Sequence, residues 1–291
     1  MKAQAEVSLE NGPWSGHDWP NRNMSIDYRA QDHNLSPLEK WELATINDNV
    51  IDIRSFLHDE NLIDPNAEWD GLCHGYSATS LQYPEPEERM INGVKFLQSD
   101  IKAILAVYYH HQFKKEKIKT SFLGTRCNED LPETMMVGDY GPPGCDDVNP
   151  GALHLALQKF ITEDKSGVVM DIDRGPAVYN HPLIGYETIN NGEFKFWYPD
   201  KALNTNKIYE FETTLKYLDV QTPEEENNIQ GAKGQKVQTM KVKYTIEVDA
   251  FENIVGGEWI SYERPDFLWF STPLEKPKDE WRFLNNLINK I

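Results

Sequence analysis

A chain of 291 residues allows one large domain or two small ones. Its 8 Trp, 13 Tyr and 12 Phe supply bulky core material within an apolar content of 39 %, and this excludes disorder for most of the chain. No apolar run approaches the roughly 18 residues of a membrane helix. With 47 acidic against 29 basic residues the net charge is −18, which repels nucleic acid and anionic membrane and suits neutral or basic partners.

The elements follow in chain order. Residues 1–35 are polar and read as an irregular arm. SPLEKWELATIN (36–47) opens with Ser then Pro, a capping arrangement, and starts a helix; NVIDIRSFLHDENLI (49–63) reads as a second. A loop, DPNAEWDG (64–71), leads into LCHGYSATSL (72–81), a run of small and apolar residues. INGVKF (91–96) is a short strand, and Ser99–Asp100 caps the helix IKAILAVYYHHQF (101–113). After a loop from 120 to 149, NPGALHLALQKFI (149–161) is a helix and VVMDID (168–173) a strand. PLIGYETI and EFKFWYP flank Asn190–Asn191–Gly192 and predict a hairpin. Strands then dominate at 207–220, 237–249 and 253–262, separated by the polar stretch TPEEENNIQGAKGQ (222–235), which reads as a long exposed turn. A short amphipathic helix ends the chain. Helices first and a mostly antiparallel sheet second give the class α+β. The expected organisation is the arm, 1–35, then one domain, 36–291. Its helical half covers about 36–163, its β-rich half about 164–275, and its C-terminal helix 278–291.

The three cysteines divide by context. Cys127 and Cys145 bracket a stretch rich in Gly, Pro and Asp that has little secondary structure to hold it, so a disulfide closing it is expected. The chain-entropy model assigns a loop of this length about 3 kcal/mol. The opening MKAQAEVSLE lacks an apolar signal core, which fits either a cytosolic protein or one whose signal has been removed. The disulfide favours export, to a secreted or periplasmic location. Cys73 lies between Gly71 and Gly75, with Ser77 and Ala78 after it. A nucleophilic cysteine at a helix N-terminus needs this pattern: a tight turn, then backbone N–H groups that stabilise thiolate and can donate to an oxyanion. The bland alternative is a cysteine packed as a small hydrophobe.

A thiol nucleophile needs a base, and the base an orienting partner. His17 and His33 lie in the arm, His58 on an early helix; His74 would point about 100° away from Cys73. The adjacent His110 and His111 cannot both face one metal. His154 and His181 remain. His181 enters a strand, and a turn at Asn191–Gly192 would bring Asp200 to the same end of the hairpin, where it could accept the His Nδ1–H and fix the tautomer. Cys on a helix, then His and an acid or amide on neighbouring strands, is the layout of papain-like enzymes; on it His154 sits on a helix, as core or as the rival base. No P-loop, dinucleotide glycine pattern or His-Glu-x-x-His motif occurs. The acids of DYGPPGCDDVNP (139–150) lack EF-hand spacing, so no metal ligands are assigned.

The segment VYNHPLIGYE (178–187) resembles the short elicitor peptide of the transglutaminase elicitor family of oomycetes, which has bacterial relatives. GLCHGYSATS (71–80), GTRCN (124–128), NPGALHLAL (149–157), GGEW (256–259) and PDFLW (265–269) also look like that family, and together the segments span roughly 65–270. The resemblance implies a papain-like core, calcium dependence and a catalytic role for Cys73. Val178, Asn180, Pro182 and Gly185 match the elicitor peptide; Tyr179 stands where the family has Trp, and His181 where it has Gln. The second departure keeps His154 in play as the base. The papain-like Gln six residues before the cysteine is absent, that position being Ala67; Asn66, the Trp69 indole or the backbone alone would complete the oxyanion site.

The expected function is protein-glutamine γ-glutamyl transfer: Cys73 forms a thioester with a protein glutamine, and a lysine or other primary amine resolves it. His181 would move the protons, with Asp200 orienting it, while Tyr179 and Trp197 shield the thioester from water. No cofactor is required, calcium entering only through the resemblance. A papain-like peptidase or a glutamine deamidase would use the same site. A recognition module that keeps the fold without turnover is the reading from a different class.

Overall fold

The computed structural model describes residues 2–10, 12–30, 34–127, 145–195, 201–228 and 231–288. Along the chain run β1 (Lys2–Glu6), α1 (Pro37–Ala44), α2 (Ile53–Asp59), α3 (Cys73–Gln82), β2 (Arg89–Ile91), β3 (Val94–Phe96), α4 (Gln98–Lys114), β4 (Thr120–Leu123), α5 (Pro150–Ala156), β5 (Val168–Asp171), β6 (Asn180–Glu193), β7 (Lys207–Leu218), α6 (Pro223–Asn228), β8 (Val237–Val248), β9 (Ile254–Gly256), β10 (Leu268–Ser271) and α7 (Leu284–Ile288). They form two compact units: a sheet unit of residues 1–8, 121–218 and 237–270, and a helical unit of 9–120, 219–236 and 271–291. The class is α+β, with helices and an antiparallel sheet. The division differs from the expected single domain of two consecutive halves, because α5 packs on β8 and β9 while α6 packs on α4.

In the helical unit, α4 is buried without a break from Gln98 to Tyr109, as befits a helix surrounded by others. Trp41 of α1 meets Trp281 at 5.7 Å between centroids and Phe283 at 5.3 Å, and Tyr108 of α4 meets Trp281 at 5.0 Å. Ser36 and Glu39 make the capping box of α1: the Glu39 N–H donates to Ser36 Oγ (3.1 Å) and the Ser36 N–H to the Glu39 carboxylate (2.8 Å). The α4 start lies one residue before the expected cap. Its Asp100 sits in the first turn, where the carboxylate accepts the Leu97 N–H at 2.6 Å and pairs with buried Lys40. β2 and β3 are a hairpin whose turn, Asn92–Gly93, has both φ angles positive.

Two expected loops are ordered. The stretch 222–235, read as an exposed turn, carries α6, whose Glu226 is buried beside Lys102 of α4. The arm is not wholly irregular either: Lys2–Glu6 pairs with β6 in the sheet unit, and short 3-10 turns form at Asn21–Asn23 and Ser25–Asp27.

The sheet unit is an eight-stranded antiparallel sheet of order β4-β10-β5-β6-β7-β8-β9, with β1 also on β6. The expected hairpin at Asn190–Gly192 does not form. β6 runs through it, pairing Asn190 with Phe211, Gly192 with Glu210 and Glu193 with Tyr209, with a register shift between Asn190 and Gly192. Gly192 takes φ +105° and its N–H donates to Asn190 Oδ1 at 2.8 Å, so the local turn chemistry is absorbed as a bulge in a longer ladder. β6 pairs here with β7, and the expected return segment at 196–200 lies outside the described residues. At the other end of β6, Pro182 has no N–H to give, and pairing with β7 begins one residue later, at Leu183↔Tyr217.

Candidate active site

Cys73 is the first residue of α3, half-buried and outside any disulfide; no side chain caps that helix. The turn into the helix is set by close backbone packing. The Leu72 N–H donates to the Asp18 carbonyl (2.6 Å) and the Asn21 N–H to the Asp70 carbonyl (2.9 Å). A Cβ on Gly71 would stand 2.7 Å from the Asp18 carbonyl oxygen, and one on Gly75 only 2.4 Å from that of Ala106 in α4. Both glycines are thus required by neighbouring backbone, and the arm forms the wall of the cysteine loop. Trp14 secures the arm: its N–H donates to Ser80 Oγ, its indole N–H to the Tyr83 carbonyl (3.0 Å), and its carbonyl accepts the Ser80 hydroxyl (2.6 Å).

His74, His110, His111 and His17 of this unit have partners of their own. His74 Nε2 and His110 Nδ1 lie 2.8 Å apart; burial, reinforced by His110, pushes His74 down to about 3, and burial pushes His110 down to about 4, so both are neutral. His111 meets the Trp281 indole N–H. His17 pairs with Asp18 at 3.2 Å and sits edge-on to Trp19, with burial lowering its pKa. His33 lies outside the described residues. Asn66 and Trp69 are in the loop before Cys73; Asn66 is exposed, its N–H donating to Asp64 Oδ1, and Trp69 is half-buried.

His181 and His154 both belong to the sheet unit. His181 is the second residue of β6, only 4 % exposed, edge-on to Tyr217, with Nδ1 2.9 Å from the Leu218 carbonyl at the end of β7. A carbonyl only accepts, so Nδ1 carries the hydrogen, and in the neutral tautomer that this bond selects it is Nε2 that can take a proton. A backbone oxygen thus orients Nδ1, an acceptor that no side-chain motif could reveal. Asp200 and Trp197 lie outside the described residues; Tyr179 is 42 % exposed. His154 sits on α5 with Nδ1 3.2 Å from the Tyr244 hydroxyl, which continues to Thr213 (2.8 Å) and Thr188 (2.7 Å). Burial against Phe211 and Tyr244 pushes it down to about 4.

Sequence reading missed a set of buried acids around the entry to β6. Asp171, fully buried, accepts the N–H groups of Tyr179 (2.9 Å) and Asp173 (3.2 Å) on one oxygen. Asp266, also fully buried, accepts the Cys127 N–H at 3.2 Å, and Cys127 is joined to Cys145 by a disulfide. Burial pushes Asp171 up to about 7 and Asp266 up to about 8, Asp147 and Asp171 adding to the latter. Asp147 is held by Arg174 and Arg264. Among the described residues no three or more His, Cys, Asp or Glu side chains are arranged to hold a metal ion. Nor is any described helix long and apolar enough to cross a membrane.

The family model of the transglutaminase elicitor matches residues 65–281. The crystal structure of the GP42 transglutaminase from Phytophthora sojae is similar over 98 % of this chain and 90 % of that chain, at 20 % identity and a TM-score of 0.74. At that identity the likeness is one of fold. A search of curated proteins found no match.

Proposed function

We propose that this chain, which belongs to the transglutaminase elicitor family, is a protein-glutamine γ-glutamyltransferase with a papain-like catalytic core, Cys73 its nucleophile and His181 its base. The observation that carries the reading is Cys73 at the first residue of an uncapped helix whose approach two glycines force tight against backbone. The helix N–H groups favour thiolate and can stabilise an oxyanion. His181 is favoured over His154 because its Nδ1–H is committed to a carbonyl, leaving Nε2 as the proton carrier, whereas His154 belongs to a packed hydroxyl chain.

The chemistry runs in two halves. Nε2 takes the Cys73 thiol proton, sulfur adds to the carboxamide carbon of a protein glutamine, and the imidazolium returns the proton as ammonia leaves. A lysine or other primary amine then attacks the thioester, Nε2 takes its proton, and the C–S bond breaks to regenerate the cysteine. No step is routed through calcium, since no described cluster fits it. The glutamine donor and amine acceptor are the proposed partners. The disulfide supports an exported, secreted or periplasmic setting.

The test is incorporation of a labelled primary amine into casein, with and without calcium, recording ammonia and new peptide ends. Incorporation lost in Cys73→Ala supports the transferase. Ammonia alone would make the protein a deamidase, new peptide ends a peptidase, and silence in every channel with an unreactive Cys73 a recognition module.

A further inference from the structure

The strand that carries His181 begins at a narrow neck. β5 ends at Asp171 and β6 starts at Asn180, the two residues being directly paired, with Met170 opposite His181. Between them residues 172–179 leave the sheet and return. Two bonds close the neck: the Ile172 N–H reaches the Tyr179 carbonyl (3.3 Å), and Asp171 Oδ1 accepts the Tyr179 N–H, the same oxygen also taking the Asp173 N–H; the Asp171 N–H donates sideways to the Phe267 carbonyl (2.9 Å). The Asp266 N–H adds a 3.3 Å bond to the Asp171 carbonyl. Two backbone donors of this segment, the Tyr179 and Asp173 N–H groups, thus depend on one carboxyl, which is fully buried and whose other oxygen meets no donor among the described residues.

Burying a carboxyl with half its acceptor capacity unused is costly. Stability alone would be served by an apolar residue at the end of so buried a strand. What the carboxyl supplies is a fixed position for the Tyr179 amide, two residues upstream of the imidazole. From there His181 must reach the Leu218 carbonyl, and Pro182 gives the ladder no donor to correct a slip.

We propose that Asp171 is a positioning residue for His181, acting through the Tyr179 N–H to hold the strand entry in the register that lets Nδ1–H meet the Leu218 carbonyl. The proposal deepens the transferase reading and rests on it for its kinetic consequence only. The groups around the Asp171 carboxyl are the Asp173 carboxylate and the Arg126 guanidinium, with Asp266 and Asp147 beyond; burial dominates and its pKa stands at about 7. Near neutrality the side chain is therefore present both with and without its proton, and an amide mimics the protonated form closely.

The experiment compares Asp171→Ala and Asp171→Asn with the parent chain by three readouts. Hydrogen exchange reports the amides of residues 178–183. The His181 imidazole is followed by NMR on histidine-labelled protein. Amine incorporation into casein gives kcat and KM. In Asp171→Ala the 178–183 amides exchange at least about tenfold faster and the His181 ring resonances move; kcat falls on the order of 10²-fold, the cost of misplacing a catalytic group by about 1 Å, with KM for casein within about twofold. Asp171→Asn, which keeps the accepting oxygen, restores all three to within about threefold. Unchanged exchange and unchanged His181 resonances in folded Asp171→Ala overturn the proposal whatever the activity, and so does unchanged kcat in an active parent. If the parent incorporates no amine, the transferase reading falls while exchange and NMR still decide whether Asp171 positions His181. Should Asp171→Ala not fold, Asp171→Ser, which keeps one short acceptor, takes its place in all three.

Discussion

The two groups at the centre of the proposed reaction are held by different physics. Cys73 is positioned by steric contact: glycines against carbonyl oxygens, an arm laid over the turn, neutral histidines nearby. His181 is positioned by hydrogen bonds and buried ionisable groups: a carbonyl on Nδ1, and Asp171 and Asp266 around the entry to its strand. Steric positioning ignores pH and tolerates no added methyl. Electrostatic positioning tolerates an isosteric swap and responds to protons.

The largest expected effect asks whether both ends are needed at all. Cys73→Ala abolishes amine incorporation. His181→Ala lowers it by about 10²–10⁴-fold, the range for removing a general base. His154→Gln, which can still bond the Tyr244 hydroxyl, keeps at least about a third of parental activity and loses about 1 kcal/mol of stability. Activity lost in His154→Gln and kept in His181→Ala would reverse the assignment and break the contrast at its base end.

Next comes the disulfide, which stands at the electrostatic end because the Cys127 N–H donates to Asp266. Replacing both Cys127 and Cys145 by Ser should cost about 3 kcal/mol in a denaturant titration, from the entropy of the released loop. An unchanged midpoint would remove the disulfide from the stability of this region. At the steric end, Gly75→Ala drives a methyl toward the Ala106 carbonyl and should cost about 1–3 kcal/mol. That cost is expected to be the same at pH 6 and pH 8.5, since no titrating group takes part. A pH-dependent cost would show that the steric description is incomplete.

Legibility in the sequence follows the same division. Gly71 and Gly75 around Cys73, the Ser36–Pro37 cap and the apolar runs of β5, β7 and β8 are local patterns, and each corresponds to an observed element or close contact. The Asn190–Gly192 signal was local too, but the longer β6–β7 ladder outweighed it, and the hairpin argument for Asp200 went with it. The Leu218 carbonyl left no mark because a backbone acceptor has no residue type. Asp171 and Asp266 carry no local mark of burial in the sequence, since burial is decided by which strands come to lie beside them. Glu226 was lost inside a polar run for the same reason; its partner Lys102 is 124 positions away in sequence (226 − 102).

The smallest effect isolates the electrostatic end most cleanly. Asp266 releases its proton near 3.8 when unfolded and near 8 when folded. Its contribution to stability is therefore fully present below about pH 4 and is lost as pH rises toward 8. The buried histidines act oppositely: His110 and His154 titrate near 4 when folded and 6.5 when unfolded, so their contribution is lost as pH falls below 6.5 and is constant above it. Of these described buried groups, it is the acids that act between pH 6.5 and 8. Thermal stability of the parent should fall across that interval, and Asp266→Asn should recover about 1–2 kcal/mol of the loss, because the amide cannot ionise. The amide still accepts the Cys127 N–H and can donate toward Asp147, so the variant changes the charge and little else. Parallel melting curves for the two proteins from pH 6.5 to 8 would mean that Asp266 carries no proton at neutrality and that the strand entry is held as insensitively to pH as the cysteine turn.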